Sequence, residues 1–178
     1  TVKISELDFS GTAEGSAEFS LKNKVFNLNM NFKGFDGNVP AELFGLKLFA
    51  GSSISGAASI KKEKSGYGGS VKIAASYSSG EYTKAEADIT GSENNFTLNR
   101  LLLAQKKGLL SAVGKASIQD DEKINASVDG KMENFMLNSK LRVSAAFSGM
   151  SSVTLAEDKA SSENKAQFTG VALNNAAY

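Results

Sequence analysis

From Ala13 to Leu21 every second residue is small or apolar (Ala13, Gly15, Ala17, Phe19, Leu21), and the residues between are Glu14, Ser16, Glu18 and Ser20. A polar break at Lys22, Asn23 and Lys24 reverses the phase. Phe26, Leu28, Met30 and Phe32 then alternate with Asn27, Asn29, Asn31 and Lys33. Alternate side chains of a strand point to opposite faces, whereas a helix would scatter the same residues around its circumference. The stretch therefore predicts two strands, each apolar on one face, joined by a short turn.

The rest of the chain repeats this device. Val2, Ile4, Leu7 and Phe9 suggest a lead-in strand whose phase slips between Ile4 and Leu7, the mark of a bulge or break. Ile54, Gly56, Ala58 and Ile60 alternate up to a charged turn over 61–66, and Tyr67, Gly69, Val71, Ile73, Ala75 and Tyr77 lead back. Tyr82 to Thr90 reads as a further strand with Ala85, Ala87 and Ile89 inward. Phe96, Leu98, Leu101 and Leu103 follow with a phase slip near Asn99, then Leu110, Ala112, Gly114, Ala116 and Ile118. Beyond a charged turn at 120–123 come Ile124, Ala126, Val128, Gly130 and Met132; Phe135 and Leu137 precede or join Leu141, Val143, Ala145 and Phe147. After Gly149 the pattern thins, and Val153, Leu155, Phe168, Val171 and Leu173 suggest two weaker strands near a frayed end. The stretch 34–51 is the least strand-like. Asn38 and Pro40 suit the start of a helical turn with Leu43, Phe44, Leu46 and Leu48 on its apolar side, but Phe44, Leu46 and Leu48 also alternate as in a strand.

Gly-x-Ala-x-(Phe or Ile) occurs three times, at Gly15-Ala17-Phe19, Gly56-Ala58-Ile60 and Gly114-Ala116-Ile118, at unequal spacings. It is a loose supersecondary repeat and not a strict solenoid period. Two readings stand: the small inward residues leave room for something opposite, or the glycine relieves crowding in a strongly bent strand.

Charge and composition narrow the function classes. The chain of 178 residues carries 20 basic and 19 acidic side chains, a net charge of +1, without the basic excess of a nucleic-acid binder. It has no Cys and no His, which removes a disulfide framework, thiol catalysis and the commonest general base and metal ligand. Ser111 with Lys115, or Ser139 with Lys140, are the Ser–Lys pairs left to consider, and alternation on a wet strand face creates such pairs by chance. Asp120, Asp121 and Glu122 lack the glycine and spacing of a calcium loop, and Gly66-Tyr67-Gly68-Gly69 lacks the Lys-Ser/Thr of a phosphate loop. No enzyme activity, no cofactor and no metal are expected. No apolar run reaches the 18 residues or so of a spanning helix. The first residue is Thr1 and no signal peptide is visible, so the chain reads as a single segment, 1–178, of a longer protein.

The repeated apolar face must be hidden from water, since burying one Phe, Leu or Ile is worth about 1.5–3 kcal/mol. The sheet can close on itself as a sandwich or small barrel, face a bilayer as an outer-membrane barrel, or curl into a trough that shelters a partner. The aromatic girdles of a membrane barrel are missing: the chain has 4 Tyr and no Trp, and its Phe residues run in phase with the aliphatics.

The run 99–118, with Arg100, Leu101-Leu102-Leu103, Lys106-Lys107-Gly108, Gly114, Ala116 and Ile118, resembles the strand, turn, x-Gly-x-Ala-x-Ile unit of the TamB and AsmA-like translocation and assembly module family. The stretch 48–60, with Gly51, Ser55 and Gly56, is similar, as is 11–19, and the likeness extends over about 11–147; the tail after Gly149 departs from it. It lies in pattern more than in signature residues.

The resemblance implies an all-β fold, a long curved antiparallel sheet folded into an open apolar trough (a β-taco), with a closed β-sandwich or barrel as the alternative. It implies a place in the periplasm, in an inner-membrane-anchored protein of a Gram-negative envelope. The implied partners are an outer-membrane barrel protein, TamA or a relative, together with neighbouring segments of the same chain. The implied cargo is apolar strands of outer-membrane proteins such as autotransporters, or phospholipid acyl chains in transit between the membranes. The groove would be lined by Phe19, Phe26, Leu28, Met30, Phe32, Ile60, Val71, Ile73, Leu103, Ile118, Ile124, Val128, Leu141, Val143 and Phe147. The rival functions are a closed structural β-domain, as spacer or adhesin module, and a lipopolysaccharide-bridge module.

Overall fold

The computed structural model describes residues 2–5, 11–20, 25–38, 41, 47–63, 66–119, 123–156 and 159–175. Leu7, Phe9, Leu43, Phe44, Leu46 and the turn residues Asp120, Asp121 and Glu122 lie outside them.

The alternating stretches form the strands β1 (Val2–Ser5), β2 (Thr12–Ser20), β3 (Val25–Asp36), β4 (Ser52–Glu63), β5 (Gly66–Tyr77), β6 (Tyr82–Ser92), β7 (Asn95–Gln105), β8 (Leu109–Gln119), β9 (Lys123–Asn138), β10 (Leu141–Ala156) and β11 (Lys159–Asn175). They make one eleven-stranded sheet in strict chain order. Each pairing is antiparallel, from β1 with β2 through to β10 with β11. The extensive strand contacts are all between sequence neighbours, so among the described residues no second sheet lies over the first. β1 and β11 each have a single partner strand, and the sheet does not close into a barrel. The protein is all-β, a long curved antiparallel sheet forming an open apolar trough.

Four strand boundaries differ from the sequence pattern, each for a physical reason. Lys61, Lys62 and Glu63 continue β4 and do not turn, because their backbones pair with Gly68, Tyr67 and Gly66. Phe135 and Leu137 belong to β9, joined to Met132 through Asn134. Asn134 has φ +48°, and its N–H donates to Ser144 Oγ at 2.8 Å, which bridges a bulge opposite β10. The thin pattern after Gly149 still pairs continuously, since β10 runs to Ala156 and meets β11 along its length. Backbone hydrogen bonds hold that ladder with little help from burial, and the described side chains of β11 are all exposed. Over 37–51, Ala41 N–H donates to Gly37 O at 3.2 Å in one helical turn, and Lys47–Phe49 forms a 3-10 turn. Leu48 is therefore in a turn and not in a strand. The phase slip near Asn99 is a register shift between Leu98 and Leu101.

The sheet has two ends. The lower end carries the turns at 78–81, 106–108 and 139–140, and the upper end carries the turn at 93–94. The buried apolar residues cluster towards the lower end, as Ile54, Ala75 and Ala85 in one group and Met132, Phe135, Val143 and Ala145 in another. The 37–51 connection helps cover the first group: Phe49 packs on it, and the Tyr77 hydroxyl donates to Leu48 O at 2.7 Å. Burial, with Tyr82 adding, raises the Tyr77 pKa above 10.0, so this hydroxyl stays a donor.

The three repeated glycines relieve crowding. A Cβ at Gly15, Gly56 or Gly114 would lie 2.9, 2.2 or 2.6 Å from the carbonyl oxygen of Asn29, Lys72 or Ser127, each on the following strand. At Gly56 it would also lie 2.6 Å from Phe32 Cζ. The room these residues make is filled by the sheet's own backbone and rings, as a strongly bent sheet requires. Gly56→Ala should therefore destabilise by about 1–3 kcal/mol through overpacking. Gly149→Ala, whose Cβ would meet Val128 Cγ1 at 3.4 Å, should be close to neutral. Urea unfolding followed by far-ultraviolet circular dichroism compares the two.

Candidate hydrophobic groove

Register carries the apolar positions of separate strands into continuous rows. One row runs Gly15, Met30, Ala58, Val71, Ile89, Leu98, Gly114, Val128, Gly149. The row above it runs Ala17, Leu28, Ile60, Gly69, Gly91, Phe96, Ala116, Ala126, Ser151. The row below runs Ala13, Phe32, Gly56, Ile73, Ala87, Leu101, Ala112, Gly130, Phe147, Phe168. Phe19 opposite Phe26, and Ile118 opposite Ile124, extend the face to the upper rim. Lys62 brings a charge to this face at that rim, with Nζ 4.7 Å from the centre of the Tyr67 ring.

The fifteen lining residues expected from the sequence divide into two sets. Val143 is buried, and Leu103, Leu141 and Phe147 pack against its cluster. Phe32 and Ile73 pack against the Ile54, Ala75, Ala85 cluster. These six are core at the lower end, where the sheet curls on itself. Phe19, Met30 and Ile60 are 77%, 41% and 46% exposed, and Phe26, Leu28, Val71, Ile118, Ile124 and Val128 are half-buried. These nine face the open part of the trough. Phe19 stacks on Phe26 at 5.7 Å, and Phe26 meets the edge of Tyr67 at 6.3 Å, giving the rim an aromatic lip.

A cleft of about 270 Å³ opens on this upper part, walled by Ile60, Val71, Ile89 and Phe96 over a floor of Gly69. Tyr67, Ile89 and Phe96 belong to this lining although the sequence reading did not place them there. Their in-phase alternation with Val71 and Leu98 was the available signal. Ser111 and Lys115 stand four residues apart on β8, about 13 Å along an extended strand, too far for a Ser–Lys dyad.

The outward face is polar and ionic. Lys72 Nζ lies 3.1 Å from Asp88 Oδ2, Arg100 Nη2 lies 3.0 Å from Glu86 Oε2, and Lys84 pairs with Glu86. The hydrogen bond from Lys84, with the attraction of Arg100, holds the Glu86 carboxyl below its usual 4.5 against the opposing effect of burial. Hydrogen bonds from Asn99 and then Lys72 hold Asp88 below its usual 3.8. A carboxyl whose folded pKa is depressed adds stability that is fully present above its unfolded value and is lost as pH falls through the folded one. The unfolding midpoint should thus stay level down to about pH 4.5 and fall below it. In the variant Glu86→Gln with Asp88→Asn, urea titrations at several pH values should show a shallower fall.

What the arrangement offers is a wide, nearly uncharged surface with a wet opposite face, suited to binding apolar groups. Compared with known proteins, the chain matches no family model, no curated protein and no solved structure.

Proposed function

We propose that this chain is a segment of a periplasmic hydrophobic-groove scaffold of the TamB and AsmA-like kind, which shelters apolar strands of outer-membrane proteins or phospholipid acyl chains in transit. The supporting observation is a registered apolar face, nearly free of charge, that no second layer covers at its upper part among the described residues. Leaving Phe19, Met30 and Ile60 wet is costly, at about 1.5–3 kcal/mol for a fully transferred side chain, unless a guest takes the place of water. The face presents few hydrogen-bonding groups, so a guest is held by area and can slide from row to row. An outer-membrane barrel protein, TamA or a relative, and adjoining segments of the same protein are the partners in this reading.

Photo-crosslinking amino acids at Met30 and Ile118, with Val113 on the outward face as control, test it in cells. Adducts with lipid or with nascent barrel proteins from Met30 and Ile118 but not from Val113 are the expected result. The absence of such adducts favours a structural spacer, and lipopolysaccharide in the adduct favours a lipopolysaccharide bridge.

A further inference from the structure

The two ends of the trough are built differently. At the lower end, Glu81 immediately precedes β6 and Arg142 is the second residue of β10, four strands further along the sheet. In a flat sheet such positions are about 19 Å apart. Here Arg142 Nη2 donates to Glu81 Oε1 at 2.9 Å, and Nη1 donates to Asn134 O at 3.0 Å. Gln105, at the end of β7, skips a strand in the same way. Its Nε2 donates to Met136 O at 3.0 Å and its Oε1 accepts from Met136 N–H at 2.7 Å, as a backbone partner would. Both Gln105 and Arg142 are buried, and beside them the Tyr82 ring lies 6.5 Å from Phe135. At the upper end, by contrast, Phe19, Ile60 and Phe96 are exposed.

We propose that the trough is single-mouthed. The bonds of Glu81, Arg142 and Gln105 draw β6 and β7 onto the β9–β10 pair and shut the lower end. Apolar guests, on the function proposed above, enter and leave over the upper rim alone. Polar groups suit this task better than more leucines. A half-buried ion pair and a buried amide are satisfied in few geometries, so they fix how far the sheet curls.

The chain has no cysteine, so a cysteine introduced at Leu110, inward at the lower end, or at Ile60, near the upper rim, takes a nitroxide at one place. Collision with a water-soluble nickel chelate then measures access. The Ile60 label should collide more often than the Leu110 label by about an order of magnitude. Glu81→Lys should raise the Leu110 rate towards that of Ile60, and the exchange Glu81→Arg with Arg142→Glu should lower it again. Equal rates at the two sites in the parent chain, or a Leu110 label that stays protected in Glu81→Lys, would overturn the proposal. If Glu81→Lys loses its β circular dichroism, Glu81→Gln takes its place with the same two outcomes. Uptake of N-phenylnaphthylamine by the parent chain is measured alongside. Failure of that uptake counts against the sheltering function, while the nickel rates still decide whether the lower end is shut.

Discussion

Phe135→Ala should lower stability by about 3–5 kcal/mol, near the upper end of what one core truncation costs. Phe135 is 5% exposed and lies in the cluster of Met132, Val143 and Ala145, with Tyr82 and Leu141 against it. Removing the ring opens a cavity beside the Arg142 and Gln105 bonds, which hold the surrounding backbone against collapsing into it. Phe19→Ala provides the contrast. That ring is 77% exposed and has one stacked neighbour, Phe26, so its loss should cost about 1 kcal/mol or less. Chemical unfolding of both variants measures the difference. Equal costs would mean that the apolar face is covered uniformly along its length, and the distinction between core and groove would fall.

Leu28→Asp and Val128→Asp should leave the chain folded and abolish retention of apolar guests. Leu28 stands between Ala17 and Ile60, and Val128 between Gly114 and Gly149; both are half-buried on the open part of the face. A carboxylate at either place keeps contact with water while the trough is empty, so the cost to the folded state is modest. A guest laid along the row strips that water away, and an unpaired charge in an apolar setting costs many kcal/mol. The effect therefore falls on the loaded state. Circular dichroism melts establish folding, and N-phenylnaphthylamine fluorescence or the crosslinks from Ile118 report retention. Unfolding of both variants would make the whole face an ordinary core.

The strands were legible because one face of each is apolar, and the period of two survives even where burial is slight. The slip at Asn99 was legible for the same reason, since a bulge moves the apolar set to the other parity. Which apolar residues are core was not legible. Leu28 and Val143 sit in identical alternating patterns, yet Leu28 faces the open trough and Val143 is buried. The difference comes from how far the sheet curls, and that depends on contacts between distant strands. Glu81 and Arg142 are 61 residues apart, and in the sequence each is one more charge beside a turn. Gln105 likewise reads as the polar last residue of a strand, and only the curl of the sheet brings Met136 to it. Over 37–51 the apolar residues left both a helical turn and a strand open, and the helical hydrogen bond of Ala41 and the turn at Leu48 show the local geometry.

Strict chain order has a consequence for how such a protein changes length. Because each strand leans on its neighbours, one more hairpin inserted outside the β6–β10 stretch lengthens the sheet by about 10 Å and leaves every other register as it was. Inserted between β6 and β10, the same hairpin would part Glu81 from Arg142. Duplication can thus tune reach in small increments at either side, while the clasped stretch of five strands keeps its count.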